Sequence, residues 1–396
     1  NNEVGYLIML MTQSALNLTH SQASHRRSRW LCLVPLLAGL AAMSGCDAGQ
    51  ERKSKRETVV QSTGKVSALF KATKTVCFGR LTLEVPATAQ VILESPEAPT
   101  RLIRLPGQAK QLDELVSKYQ EELRSQTRMG GGNRYLETSE AGPGGVKGQK
   151  FVQGWETFSS SMVRVKAFTP VGEDVYVQES AGVPDDSAHT KGAIGTLGAE
   201  LAMLKGIASH LTPRAAETVP SAPGVCVENG FISDNLQLTH EVFRLGIRMA
   251  EYPDVHFSVA ATKKLATEDV GALQKRYERA QANAQEQGQG SWFSAIKMLR
   301  KGDAEVNGWR GFEILASKPP QSEDFASHEF VFQAPGEANN ALKPALAMQL
   351  DTGVKENQKA GQKPSLTDEE ALELWDRLVH SVKVRATTSS SAGASA

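Results

Sequence analysis

Short runs of alternating apolar and polar residues dominate the chain, interrupted by stretches of helical spacing. Leu81, Leu83 and Val85 alternate with Thr82 and Glu84 and stop at Pro86, the period of a half-buried strand closed by a residue that cannot donate to a ladder. Leu112, Leu115, Val116, Tyr119 and Leu123 fall three and four apart, which predicts an amphipathic helix over 111–126. The glycine-rich stretch 130–148 breaks that pattern. Strand-like runs follow at 150–158, 162–168 and 174–178, the last two joined through Pro170-Val171-Gly172-Glu173 as a hairpin. Ile194, Leu197, Leu201, Leu204 and Leu211 mark a second helix, and a Pro- and Ala-rich linker covers 213–223.

The order then recurs. Strands are predicted at 242–249 and 255–260, a helix at 268–285, and strands at 311–315 and 328–332. In the last helix Thr367 and Glu370 form a capping box ahead of the apolar face Ala371, Leu374, Trp375, Leu378 and Val382. Cys77 and Cys226 open the two halves 149 residues apart, and Gly154-Trp155 and Gly308-Trp309 repeat 154 apart. The fold class read from this is α+β: two similarly organised α+β domains, 73–215 and 222–384, with antiparallel sheets and packed helices, and the recurrence raises an internal duplication.

The N-terminus reads differently. His25, Arg26, Arg27 and Arg29 precede an apolar run from Trp30 to Met43 and then Ser44-Gly45-Cys46, the layout of a secretory signal peptide. Trp30 to Gly45 is 16 residues and contains Pro35 and Gly39, whereas a membrane-spanning helix needs about 20 apolar residues. Residues 1–10 are assigned no function, because Met9 and Met11 are both candidate starts. Met43-Ser44-Gly45-Cys46 resembles the bacterial lipobox, with Met43 in place of the more usual Leu. That likeness implies cleavage between Gly45 and Cys46 and acylation (palmitate among the acyl chains) of Cys46; the alternative is an ordinary cleavage site near 42–45 with Cys46 incidental. A multiply acylated cysteine anchors firmly, at about 0.8 kcal/mol per buried methylene. Asp47 resembles the residue that retains lipoproteins on the inner membrane in enteric-type bacteria. The reading is a lipid-anchored periplasmic protein, the inner membrane favoured over the outer, with a flexible charged tether over 47–72 and a disordered tail over 385–396.

Composition narrows the function classes. Removing residues 1–46 takes away Arg26, Arg27, Arg29 and one acid, Glu3, leaving 41 basic and 43 acidic side chains. A balance this even argues against nucleic-acid binding, which needs many cations to neutralise phosphates. Cys32 leaves with the leader and Cys46 would carry lipid, so Cys77 and Cys226 remain in an oxidising compartment, either bridged or as two separate buried thiols. No Gly-x-Ser-x-Gly elbow occurs, and His240-Glu241 and His328-Glu329 lack a second histidine at metal spacing. The runs 130–132 and 142–145 do not read as phosphate loops, and turns are the better account. No catalytic residue, metal site or cofactor is assigned.

One resemblance joins these features. Thr75-Val76-Cys77-Phe78-Gly79-Arg80 running into Leu83-Glu84-Val85-Pro86, Cys226-Val227-Glu228-Asn229-Gly230-Phe231-Ile232, and Gly308-Trp309-Arg310-Gly311-Phe312-Glu313 resemble the two domains of the type VI secretion lipase immunity proteins, over about 73–384. The resemblance implies a non-enzymatic periplasmic protein that binds and inhibits a phospholipase effector and so prevents self-intoxication. Such inhibition needs an interface of about 1,600 Å² or more with a few aromatic or Arg anchors. Trp292 and Phe293, beside the flexible Gly288-Gln289-Gly290, are candidate partner-binding residues, with closure of the core as the competing reading. The rival classes are a small-ligand or scaffolding lipoprotein and a lipid-anchored enzyme whose site assembles from distant residues.

Overall fold

Two hairpins with cysteine-bearing first strands organise the body. The computed structural model describes residues 64–142, 145–185, 195–266 and 271–388, all within one compact unit. The leader, Cys46 and Asp47 lie outside the described residues. A short helix α1 (Gly64–Leu69) precedes the first hairpin, β1 (Thr73–Phe78) and β2 (Leu81–Pro86). Residues 64–72 were expected to be tether, but Val66 is fully buried, and Lys65 and Ser67 reach Glu370 and Glu373 at 3.1 and 3.0 Å. The apolar residues Val66, Leu69 and Phe70 at helical spacing are the reason.

The first half continues with β3 (Gln90–Leu93), β4 (Leu102–Leu105), α2 (Leu112–Ser125), β5 (Tyr135–Glu140), β6 (Lys150–Trp155), β7 (Val163–Val171), β8 (Asp174–Gly182) and α3 (Leu197–His210). Strands β4-β8-β7-β6-β5 make an antiparallel five-stranded sheet. On one face Val116, Tyr119 and Leu123 of α2 meet Val152, Phe168, Val175 and Val177. On the other, Leu204 of α3 meets Phe151, Val165 and Ala167. The β7–β8 turn is tighter than the four residues expected: Pro170 and Val171 stay in the ladder, and Gly172, at φ 62, makes the reversal with Glu173.

The second half comprises β9 (Leu211–Pro213), β10 (Gly224–Val227), β11 (Gly230–Ser233), β12 (Val242–Met249), β13 (Tyr252–Thr262), α4 (Ala272–Glu286), α5 (Gly290–Ser294), β14 (Lys297–Val306), β15 (Trp309–Lys318), β16 (Ser327–Ala334), β17 (Ala345–Asp351), α6 (Asp368–Ser381) and β18 (Lys383–Val384). Its seven-stranded sheet runs β14-β15-β16-β17-β13-β12-β3, packed by α4 on one face and α6 on the other. Trp375 of α6 is fully buried, edge-on to Phe257 and Phe330 at 6.2 and 6.0 Å. The capping box is present: Thr367 accepts from the Glu370 amide, and Glu370 accepts from the Thr367 amide.

Both halves share one connection pattern. A strand (β4 or β13) leads into a helix and then into four antiparallel strands, the last of which (β8 or β17) returns to pair with the first. The hairpin cysteines occupy matching places in this pattern, but the Gly-Trp repeats do not: Trp155 ends β6, whereas Trp309 begins β15. The sequence boundary between the halves is crossed in space, since β3 joins the second sheet and β18 pairs with β2. One continuous apolar core therefore runs from Phe78 and Leu83 through Ile207 to Phe332 and Trp375.

Candidate functional site

The two hairpins meet at a disulfide. Cys77 and Cys226 are bonded with their Cα atoms 5.8 Å apart, and Gly79 and Cys226 exchange two backbone hydrogen bonds of 2.8 Å. Gly79 adopts φ 52, and a Cβ there would strike the Phe243 ring, so only glycine allows this close approach. The next residue, Arg80, is buried and donates from Nε to both carboxylate oxygens of Glu241, at 3.1 and 3.0 Å, and from Nη2 to Asp234. Burial opposes its charge, but the two carboxylates overcome that and raise its pKa.

Two further buried arginines pin the linker between the halves. Arg214 donates to the carbonyls of Val227, Gly230 and Thr218, at 3.0, 3.1 and 2.8 Å. Arg385 donates to the carbonyls of Ala222 and Gly224, at 2.8 and 2.7 Å. Both have lowered pKa values, chiefly from burial. Residues 385–388, expected to begin the disordered tail, are thus held: the Arg385 amide bonds Arg80, and the Thr388 amide bonds Ser221. The Pro- and Ala-rich composition of 213–223 hid this, because carbonyl acceptors leave no mark in a side-chain pattern.

Beside this clamp lies an open groove of about 580 Å³ between α3 and the turn after β11, floored by Met203, Ile207, Ile232 and Leu238. Its one imidazole, His210, has Nδ1 engaged with the Gly206 carbonyl at 2.7 Å. On the adjoining turn Leu236 is 45% exposed and sits at φ 63, a left-handed conformation that a branched apolar residue rarely adopts. The groove is shaped to bury apolar side chains beside an anchored backbone.

The residues singled out in sequence fall in different places. Phe293 is buried against Tyr277, with ring centroids 5.5 Å apart, while Trp292 is half-buried and donates its indole N–H to the Pro319 and Pro320 carbonyls at 3.3 and 3.2 Å. Trp309 is buried and bonds the Pro344 carbonyl at 2.9 Å. His240 pairs with Glu97, and His328 with Thr352 and Asp368, each at 2.8 Å. Among the described residues no cluster of His, Cys, Asp and Glu is arranged to hold a metal, and no helix is long and apolar enough to cross a membrane. Sequence reasoning did not find Arg80, Arg214 and Arg385; the one available signal for Arg80 was its place in a hairpin turn next to an obligatory glycine.

Comparison with known proteins addresses the whole arrangement. The family model described as the Tle cognate immunity protein 4 C-terminal domain matches residues 218–387. No curated protein matches the chain. Among solved structures, that of the Tle4–Tli4 complex matches with a TM-score of 0.65 and 22% identity over 80% of this chain and 99% of that one. The apo structure of the immunity protein TplEi of the type VI secretion system from Pseudomonas aeruginosa matches with a TM-score of 0.63 and 22% identity over 80% of this chain and 98% of that one. At that identity the solved structures establish the shared fold, which takes in both halves. Over residues 218–387 the chain is thus similar to the C-terminal domain of the Tle cognate immunity protein 4 family.

Proposed function

We propose that this protein binds a type VI secreted phospholipase effector in the periplasm and blocks it, protecting the cell that makes both. The observation that carries the reading is the joint one: a family match over the second half, and a fold that spans nearly the whole of a Tli4 chain solved with Tle4. The chain acts as a binding protein rather than an enzyme. Its two halves, 73–215 and 222–384, are held by the Cys77–Cys226 bridge and the buried arginines, so they offer the effector a preorganised surface and little conformational entropy is lost on docking. Inhibition follows from covering the substrate entrance or fixing a lid of the lipase. Trp292, partly open to solvent, is a contact on this reading, while Phe293 is buried against Tyr277.

The proposal extends to the anchor. Cleavage before Cys46 and acylation of its thiol would tether the body by 47–63, with Asp47 favouring the inner membrane. Labelled palmitate should enter the wild-type protein and not Cys46→Ser; equal labelling would remove the anchor from the account. The function itself is tested by growth. Directing the phospholipase encoded beside this gene to the periplasm should be toxic, and co-expression of this chain should restore growth. Unrelieved toxicity at matched expression would contradict it.

A further inference from the structure

We propose that the free end of the five-stranded sheet, around Trp155 and Phe158, docks into an apolar pocket of the effector that is rimmed by carboxylates; this rests on the immunity reading above. Helix α3 packs chiefly on β7 and β8 and reaches Phe151 near the start of β6, away from the Trp155 end of that strand. Three large apolar side chains stand exposed there: Phe158 at 68%, Met129 at 57% and Leu136 at 40%. Their loops are joined by the Trp155 amide, which donates to the Arg134 carbonyl at 2.8 Å.

The same end is cationic and stiffened. The Arg128 guanidinium lies 4.8 Å over the Trp155 ring, and that of Arg124 lies 4.2 Å over Tyr135. Arg134 is buried, its Nε donating to the Trp155 carbonyl at 2.7 Å. Residues 123–136 contain these three arginines and no acid. Glu156, the one acid in 154–163, is buried and paired with Arg164 at 2.6 Å, and the acids flanking the three arginines are Glu122 at the end of α2 and Glu137 of β5, whose carboxylate accepts from Gln153. The glycines 130–132, all at positive φ, fold the chain back so that the Arg128 amide bonds the Gly132 carbonyl at 3.0 Å, which sets Arg128 and Met129 at the sheet end.

Exposed Phe and Met beside ring-stacked Arg is the composition of interface hot spots, and the free charge asks for acidic groups opposite. A membrane surface fits less well: headgroup-binding clusters carry about four to eight Lys or Arg, and here two face outward.

The test measures affinity of the full mature chain for the phospholipase encoded beside its gene. Phe158→Ala and Arg128→Glu should each weaken binding about tenfold or more with unchanged Tm. Leu265→Ala, which removes the most exposed large apolar side chain among the described residues, should stay within about twofold of wild type. If wild type binds and both variants bind equally well, the surface assignment is overturned while the immunity reading stands. If wild type does not bind, both fall. Unchanged effector affinity with lost binding to anionic vesicles would assign the patch to the membrane and overturn the proposal.

Discussion

The two sheets follow one connection pattern yet are finished differently. In the seven-stranded half, α6 sets Trp375 among Phe257 and Phe330, and that face is continuous with the core that also takes in both hairpins. In the five-stranded half, two small separate clusters pack most of the sheet, the large core reaching it at Leu102, Val171, Tyr176 and Ile207, and Phe158, Met129 and Leu136 stand exposed at one end. On this contrast the second half, with the larger core, is expected to be the more stable part of the molecule. The first half keeps less apolar area from water and retains exposed Phe, Met and Leu at its free end, as an interaction surface requires.

Substitutions can break or sharpen that contrast. The largest expected effect is Trp375→Ala, at about 3–5 kcal/mol in urea unfolding, with amide exchange rising throughout the molecule. Leu204→Ala, in the small cluster under α3, should cost about 2 kcal/mol and raise exchange only in the five-stranded half. Equal cost and equally global exchange would dissolve the distinction. Replacing both bridging cysteines, Cys77→Ser with Cys226→Ser, should cost about 2–5 kcal/mol, read as a lower urea midpoint, because the bridge closes a loop of 149 residues and ties the hairpins on which both halves rest. Loss of protection confined to one half would show that the junction is not shared.

Smaller effects come from the helix starts and from pH. Thr367→Ala should cost about 1 kcal/mol through loss of the reciprocal cap on α6. Thr196→Ala should cost about half as much, because Thr196 makes a single 3.3 Å capping bond on α3. His256 of β13 is held down to about 4, first by burial and then by Arg248 alongside it. The folded state therefore resists protonation that the unfolded chain accepts. Its stabilising share is complete above about 6.5 and is lost as pH falls toward 4. His256→Leu should flatten the stability profile across that window; an unchanged slope would show that His256 does not set it.

How far the sequence could be read depended on what each element buries. The strand over 81–86, the helix near 111–126 and α6 were legible because one face of each is apolar, and the Thr367/Glu370 cap is local chemistry. Strand β14 was not, because Lys297, Arg300, Lys301, Asp303 and Glu305 mask its alternation at a sheet edge. Some of those charges are structural: Arg300 holds Glu313 of β15 and Asp376 of α6, each at 2.6 Å. Strand β17, Ala-Leu-Ala-Met-Gln-Leu-Asp, has helical propensity overridden by pairing with β13 and β16 on both sides. The candidate site was legible only in parts. Cys77 and Cys226 stood out by position, but the groove, the exposed end of the five-stranded sheet and the arginine clamp arise from long-range contacts that no local pattern encodes.

The central claim is inhibition by binding, and a titration tests it most directly. Purified residues 47–396, the chain without its acylated cysteine, are added to the phospholipase encoded beside its gene while lipid hydrolysis is followed. The account predicts activity falling linearly to zero at one equivalent, with a complex of the two chains recovered by size-exclusion chromatography. Full activity in the presence of excess chain, with the two proteins eluting separately, would contradict it.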